Sequence, residues 1–209
     1  MPGFDRVARL YRWAEYLALG PLLTQTRNHW LPKLTHIRQA TIFGDGDGRF
    51  LARFLQQNPA AHAHAIDASP CMLKLLQQRS LFAAARRTTE LATLPEALPA
   101  PDSDLLVTHF VLDCLPQTAV DRFAEQCFAR TAPGTLWLVS DFAPMRSRWL
   151  RPASRLYIRL LYLSFRMLTG LRVTQLPDSY QALSQAGFQR IAHTERVNGL
   201  LFTELWRRP

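Results

Sequence analysis

The chain has 209 residues, of which 48% are hydrophobic and 20% charged, the composition of a globular protein with one full hydrophobic core. No run of 18 uncharged apolar residues occurs, which argues against a membrane-spanning helix, and the charged, aromatic N-terminal sequence is unlike a signal peptide. The net charge of +9 comes mostly from arginine, because only Lys33 and Lys74 of the 25 basic residues are lysines. Such a charge attracts anions, whether lipid, phosphate or nucleic acid, without distinguishing among them.

The predicted elements alternate between strands and helices along most of the chain. Apolar residues at spacings of three and four predict an amphipathic helix over 4–19, and a second short helix is expected over 21–31. Strands are then predicted at 39–43, 62–67, 86–91, 104–110 and 134–142, and helices at 49–57, 69–79 and 117–130. This alternation indicates a mostly parallel sheet with helices on both faces.

The C-terminal region predicts a change of strand direction. A helix that ends at Gly187 is followed by two β-like runs joined by Asn198-Gly199. Asn-Gly between such runs is a strong hairpin signal. We therefore expect the sheet to end with one antiparallel strand.

A glycine-rich loop, "GDGDG", follows the first predicted strand and places Gly44, Gly46 and Gly48 at every second position. A phosphate-binding P-loop is excluded because no Gly-Lys-Ser/Thr sequence follows, and an EF-hand is excluded because phenylalanines fall at its terminal ligand positions. A dinucleotide fingerprint needs a small residue at position 49, which is Arg49. The remaining pattern is GxGxG, which lets the backbone approach a ligand closely.

Asp67 ends the second predicted strand, 19 residues after Gly48. A carboxylate at this place in an α/β sheet binds ribose hydroxyls. The alternative is that Asp67 caps the next helix, but Ser69, followed by Pro70, is better placed for that role.

The set of motifs resembles the class I S-adenosylmethionine-dependent methyltransferases of the small-molecule type. The matching stretches are "GDGDG", "IDASPCML", "DLLVTHFVLDCLP" and "TLWLVSDFAP", with the N-terminal "FDRVARLY" similar to a helix over the cofactor. The resemblance implies a Rossmann-like, doubly wound α/β fold, with a seven-stranded, mostly parallel sheet and an antiparallel C-terminal strand. It also implies one domain over 1–209, comprising an N-terminal helical lid at 1–36 and an Arg-rich helical insertion at 142–176. The cofactor would be S-adenosyl-L-methionine.

The resemblance also implies positions around that cofactor. Gly44, Asp45 and Gly46 would face its methionine part, with Gly48 in the same loop, and Asp67 would hold the ribose. Ala68 and Met72 would pack near the adenine, and Leu91 and Ala92 would border the adenine edge. Thr108 and His109 would lie beside the sulfonium. Tyr11 of the N-terminal helix would either reach the cofactor or belong to the core.

Two departures from the family pattern concern the cofactor. Many members carry an acidic residue two positions before the first glycine, where this chain has Ile42. Asp45 or Asp47 is the suggested substitute, and a catalytically inactive protein or a modified cofactor is the alternative. The sequence after the third strand, "ELATLPEAL", also lacks the Asp or Asn often found there.

Candidate catalytic residues follow the fourth and fifth strands. His109 is a candidate general base, or else a histidine that only packs against the cofactor. Asp141 either lines the acceptor site or caps the following segment. Asp113 would orient His109, line the pocket or, as the favoured interpretation, be an exposed carboxylate. His62 and His64 have no third ligand nearby, so no metal site is predicted.

The insertion at 142–176 is rich in arginine and aliphatic residues, with seven arginines and no acidic residue between Phe142 and Pro177. It predicts a core-packing helix, a lid over a hydrophobic acceptor pocket, or a helix lying on an anionic membrane. Nucleic acid is disfavoured as substrate because "THFV" replaces the [DN]PP[YFW] motif of base-amine methyltransferases and the arginines alternate with aliphatics. The odd number of cysteines without CxxC spacing favours a cytoplasmic protein, to which the membrane interpretation adds a peripheral position on the inner face.

Together these features predict an S-adenosylmethionine-dependent methyltransferase acting on a small, hydrophobic acceptor. The alternative is a catalytically inactive adenosylmethionine-binding or membrane-surface binding module of the same fold. The acceptor and the oligomeric state are not predicted.

Overall fold

The structure is a computed structural model that describes residues 20–145, 147, 149 and 176–209. The helix predicted at 4–19, with Tyr11, lies outside the described residues, as does most of the Arg-rich insertion. The second predicted helix, 21–31, is present as α1 (Gly20–Arg27), followed by a short 3-10 helix at Leu31–Lys33.

Seven strands form one sheet: β1 (Gln39–Phe43), β2 (His62–Asp67), β3 (Arg87–Leu91), β4 (Leu105–His109), β5 (Leu136–Phe142), β6 (Gln189–Arg196) and β7 (Leu201–Arg207). Their order across the sheet is β3-β2-β1-β4-β5-β7-β6. Strand β7 pairs antiparallel with both β5 and β6, whereas β1 to β5 pair in parallel. The predicted fold class is therefore confirmed, including the single reversed strand.

The remaining described helices are α2 (Arg49–Gln57), α3 (Pro70–Arg79), α4 (Gln117–Arg130) and α5 (Ser179–Ala186), with 3-10 helices at Leu81–Arg86 and Leu112–Cys114. The predicted start of α3 is confirmed, because the Ser69 hydroxyl accepts a hydrogen bond from the Met72 N–H at 3.3 Å. Helix α5 ends at Gly187, whose φ of 107° only glycine adopts without strain.

Two hydrophobic cores lie on the opposite faces of the sheet because successive strand residues alternate in direction. One core contains Ile42 and Val107 of the strands together with Phe50 of α2. The other contains Trp137 of β5 and Phe123 of α4, which meet edge to face at 5.6 Å. Both faces are covered, so the loops at the carboxyl ends of the parallel strands are the natural place for a ligand.

Candidate active site

The three loop glycines all have left-handed backbone conformations but meet different surroundings. Their φ values are 64° at Gly44, 61° at Gly46 and 79° at Gly48. A Cβ at Gly44 would lie 2.3 Å from Val111 Cγ2, and one at Gly48 would lie 2.8 Å from Leu76 Cα. A Cβ at Gly46 would have only the Met72 sulfur nearby, at 3.9 Å. Internal packing therefore requires two of the glycines, and Gly46 is the one that leaves open space beside the loop.

Asp67 ends β2 and joins the glycine loop to the start of α3. Its Oδ2 accepts a hydrogen bond from the Gly46 N–H at 3.2 Å, and its Oδ1 accepts one from the Ser69 N–H at 2.9 Å. Burial raises the pKa of Asp67 to about 6. Each carboxylate oxygen can accept more than one hydrogen bond, so the group is able to bind two hydroxyls in addition to these amides.

Asp45 lies beneath the loop and caps α2. Its buried carboxylate accepts hydrogen bonds from the Phe50 N–H at 3.3 Å and the Leu51 N–H at 2.9 Å. Burial raises its pKa to about 7, while those two N–H groups and the nearby Arg27 oppose the rise. If Asp45 also binds the cofactor, its carboxylate must do so while it keeps these hydrogen bonds.

Asp47 lies in ion pairs at the outer side of the loop. Its Oδ2 is 2.8 Å from an Arg79 guanidinium nitrogen and 3.2 Å from Arg49 Nε. Both acidic residues suggested as substitutes at Ile42 therefore have structural partners. Ile42 itself is fully buried in the apolar core.

His109 ends β4 on the same face of the sheet as Ile42 and is 2% exposed. Its ring meets the Phe50 ring edge to face at 4.7 Å. Neither ring nitrogen has a hydrogen-bond partner within the described residues. Burial, and then Arg27, hold the pKa of His109 well below its ordinary value, so the ring is neutral at pH 7. Buried polar atoms without partners are rare, so these nitrogens mark a place for a ligand or ordered water.

Arg27 is a site residue that the sequence did not single out. It is buried, its guanidinium lies 5.2 Å from the centre of the Phe110 ring, and its charge acts on both Asp45 and His109. Phe110 follows β4 with a φ of 56° and contacts Phe142 at 5.1 Å. The sequence carried no signal for this role, because Arg27 lies in a mostly polar stretch, between Thr26 and Asn28.

Asp113 and Asp141 form a buried pair at the carboxyl ends of β4 and β5. The Asp113 N–H donates to Asp141 Oδ2 at 3.1 Å, and the two carboxyl groups are hydrogen-bonded to each other. Burial raises the pKa of Asp113 to about 6 and that of Asp141 well above its ordinary value, and the two like charges add to the rise for Asp141. Adjacent carboxyl groups of this kind share one proton.

This pair corrects the sequence-based expectation for Asp113. It was expected to be exposed but is only 4% exposed. The turn at Leu112–Cys114 places it on the sheet edge rather than on an outer helix face. It makes no hydrogen bond to His109, whose two ring nitrogens have no partner in the described part of the chain.

The other predicted positions lie along the same edge. The Thr108 hydroxyl accepts a buried hydrogen bond from Trp137 Nε1 at 3.0 Å. The Ala92 N–H donates to the Asp67 carbonyl oxygen at 3.2 Å, and Leu91 is 58% exposed. Ala68 follows Asp67 directly, and Met72 reaches Gly46. The edge thus brings together every predicted position except Tyr11, which lies outside the described residues.

Within the described ranges, no group of three or more His, Cys, Asp or Glu side chains is placed to hold a metal ion. His64 instead bonds Thr88 at 2.8 Å and Glu90 at 2.9 Å. None of the three cysteines forms a disulfide. The helices of the described part include none with the length and apolar character needed to cross a bilayer.

Comparison with known families gives a match that covers the glycine loop, β2 and β4. The model of a family described as a methyltransferase domain matches residues 42–136. Residues 42–136 of this chain thus match a methyltransferase domain, and they include the glycine loop and strands β2, β3 and β4. The resemblance found from the sequence is therefore confirmed. No match was found among curated proteins.

Several solved methyltransferases share the fold of the domain. The mitomycin 7-O-methyltransferase MmcR is 18% identical with a TM-score of 0.72, over 99% of this chain and 61% of its own. The N-methyltransferase NodS from Bradyrhizobium japonicum WM9, in complex with S-adenosyl-L-homocysteine, is 14% identical with a TM-score of 0.65, over 90% and 88%. The riboflavin-derivative dimethyltransferase RosA from Streptomyces davawensis is 18% identical with a TM-score of 0.68, over 100% and 62%. The chain thus spans about three fifths of the length of MmcR and of RosA.

The residues of the methyltransferase domain fit S-adenosylmethionine, the predicted cofactor. The space beside Gly46 admits a ligand close to the backbone. Asp67 presents a carboxylate at the end of β2, and the nitrogens of His109 at the end of β4 lack partners among the residues that the structure describes. These are the positions that the resemblance assigned to methionine, ribose and sulfonium, although the individual contacts stay predictions.

We expect the glycines of the loop to respond differently to alanine. Gly46→Ala should cost about 1–2 kcal/mol for the left-handed backbone, whereas Gly48→Ala adds a collision with Leu76 that typically costs about 1–3 kcal/mol more. Gly134→Ala is the matched control, because Gly134 also has positive φ and its Cβ would meet nothing within 4 Å. Urea unfolding and calorimetric binding of S-adenosylmethionine would show Gly46→Ala equal to the control in stability but weaker in binding. Equal loss of stability in Gly46→Ala and Gly48→Ala would contradict the assignment.

Asp45 should make the domain more stable at moderately acidic pH. A folded-state pKa of about 7, raised above the unfolded value, means that protonation favours the folded state and that this stability is lost as pH rises. For one such group the free energy of unfolding increases by about 1.4 kcal/mol from pH 8 to pH 6. Other buried groups also titrate in this range, so urea unfolding should give a larger increment in the native protein than in Asp45→Asn, with a difference of about 1.4 kcal/mol. The same increment in both proteins would show that Asp45 is ionised throughout.

Proposed function

We propose that the protein transfers the methyl group of S-adenosylmethionine to a small-molecule acceptor at the carboxyl ends of β4 and β5. The observation that carries this proposal is the arrangement along one edge of the sheet. An open glycine loop and the Asp67 carboxylate lie on one side, and the partnerless ring of His109 lies beside them. The names of MmcR and RosA describe methylation of an oxygen and of a nitrogen on small molecules, which supports an acceptor of that class.

The bound cofactor supplies an electrophilic methyl group on a sulfonium. The chain must hold the acceptor in line with that methyl group, and positioning of this kind lowers the barrier without a covalent enzyme intermediate. Gly46 and Asp67 hold the cofactor in the proposed site. His109 ends β4, which flanks β1 on the side away from β2, and it fixes the reactive end of the cofactor.

His109 suits a neutral hydrogen-bonding role better than the base role predicted from the sequence. Proton uptake would create a second buried cation close to Arg27, and burial itself opposes the charge. The neutral ring offers one N–H donor and one nitrogen acceptor. We therefore assign it to orienting the cofactor or the acceptor.

The Asp113–Asp141 pair is the better candidate to accept a proton from a hydroxyl acceptor. The pair holds one proton between its carboxyl groups, and its remaining negative charge can take up a second. Its raised pKa values make it a stronger base than an ordinary carboxylate. Asp141 thus keeps its predicted catalytic role, with Asp113 as its partner.

We also propose that the acceptor is apolar. Phe110 and Phe142 contact each other next to the acid pair, and Phe142 also packs with Leu200 and Met145. Aromatic and aliphatic side chains with a few polar groups are typical of small-molecule pockets. Contact with an anionic membrane depends on the Arg-rich insertion and stays a prediction. The matches to methyltransferases do not favour the inactive binding module.

Asp67→Ala should weaken binding of S-adenosylmethionine by about 10- to 100-fold, because hydrogen bonds to a charged group contribute about 1.5–3 kcal/mol. Asp104→Ala is the matched control, since Asp104 also accepts two backbone hydrogen bonds, from Arg38 and Gln39, at the far end of the sheet. Titration calorimetry should give native affinity for the control. Unchanged affinity in Asp67→Ala would remove the ribose assignment.

Transfer itself is tested with isotopically labelled S-adenosylmethionine and a panel of apolar phenols and amines. With a phenol substrate, kcat should fall as the pH drops below about 6, because the acid pair must be ionised to accept the proton. Asp141→Asn and Asp113→Asn should each lower kcat by about 10²–10⁴-fold with little change in cofactor affinity. Asp121→Asn, on helix α4, serves as the control. Cofactor binding without transfer to any acceptor would instead support the binding module.

A further inference from the structure

We propose that a cavity between α1, α2 and the end of β6 binds an anion of the phosphate or carboxylate class. The cavity has a volume of about 480 Å³ and is lined by Gly20, Pro21, Thr24, Gln25, Asn28, Arg53 and Arg196. These lining residues include two arginines and no acidic side chain. None of them belongs to the predicted cofactor positions.

Arg196 carries part of its hydrogen-bonding capacity unused in this cavity. Its Nε is buried and has no partner in the described part of the chain. One terminal nitrogen lies 3.4 Å from His29 Nδ1. The neighbouring acid along β6, Glu195, bonds His193 at 2.8 Å. A guanidinium group whose N–H groups lack acceptors is costly to bury, and an anion in the cavity would bind those N–H groups of Arg196 that face it.

The pKa of His29 reflects the excess of positive charge near the cavity. Its pKa is lowered by burial and then by the charges of Arg196 and Lys33. Its Nε2 is also held by the Thr194 hydroxyl at 3.2 Å. Because these cations repel one another, an anion bound between them would be attracted by all of them and would raise the pKa of His29.

Arg53 supplies a second guanidinium from α2. It is exposed, and its side chain makes no hydrogen bond with any described residue. Two guanidinium groups on one cavity suit the several oxygens of a phosphate or carboxylate. Asn28 also lines the cavity, and its buried side-chain oxygen has no partner among the described residues, so it is a candidate acceptor for a hydroxyl on the same ligand.

Two kinds of anionic ligand are compatible with the cavity. One is a free phosphorylated or carboxylated small molecule, for which 480 Å³ is sufficient. The other is the headgroup of an anionic lipid. Both place the negative group between Arg53 and Arg196, and the experiment separates them.

The first test is titration of the full chain with inorganic phosphate by calorimetry, with the pKa of His29 followed by NMR. Arg53→Gln/Arg196→Gln should bind phosphate at least about tenfold more weakly, which corresponds to 1.4 kcal/mol. Arg38→Gln/Arg122→Gln removes the same charge from exposed positions elsewhere and should bind like the native protein. Phosphate should raise the pKa of His29 in the native protein and in this control.

No phosphate binding by the native protein at about 10 mM, or equal binding by all three proteins, would overturn the site. Vesicles of phosphatidylcholine with and without phosphatidylglycerol identify the source. Binding to the anionic vesicles that phosphate displaces, and that the Arg53/Arg196 variant lacks, would support a lipid headgroup. Phosphate binding with no such vesicle binding would support a free anion. Normal cofactor binding by the Arg53/Arg196 variant would show that its defect is separate from methyl transfer.

Discussion

The carboxylate of Asp67 connects the two loops on which the cofactor side of the structure depends. It accepts the N–H of Gly46 in the β1–α2 loop and the N–H of Ser69 at the start of α3. Helix α3 approaches the glycine loop so closely that Leu76 leaves no room for a side chain at Gly48. A rigid loop with one open glycine is what a ligand needs when it must lie against the backbone. Asp67 thus has a structural role without any ligand, and the same hydrogen bonds hold its carboxylate in place at the edge of the sheet.

Buried ionisable groups are concentrated at this edge, on both sides of the sheet. Asp45, His109 and Arg27 lie on the side of the sheet that α2 covers. Asp113 and Asp141 lie at the carboxyl ends of β4 and β5. Burial disfavours each charge, so the carboxyl pKa values rise and that of His109 falls. Such groups cost stability and are retained where chemistry or binding uses them. The proposed function uses this division, with the neutral imidazole on the cofactor side and the acid pair on the acceptor side.

The sequence predicted the fold well because its signals were local. Helix α2 was predicted at 49–57 and β2 at 62–67, and both have these limits in the structure. Asn198-Gly199 predicted the hairpin because its turn requires positive φ, and Asn198 has 54°. What the sequence could not predict depended on packing between distant segments. Asp113 is buried because a 3-10 turn brings it to β5, and Arg27 enters the site only through the position of α1. Likewise, the nitrogens of His109 are seen to lack partners among the described residues only once the helices and strands around them are in place.

The apolar residue at position 42 follows from the same packing. Ile42 is fully buried between Phe50 and the strands, on the face where His109 also points. A carboxylate at this position would add a second buried negative charge to a region that already contains Asp45, and each would raise the pKa of the other. With Ile42 in place, Asp45 is a buried acid of that region, and the charge of Arg27 acts on it. The buried acidic residue of this region thus lies on the loop that follows β1, where it caps α2, and its role as the substitute for an acidic residue at position 42 stays a prediction.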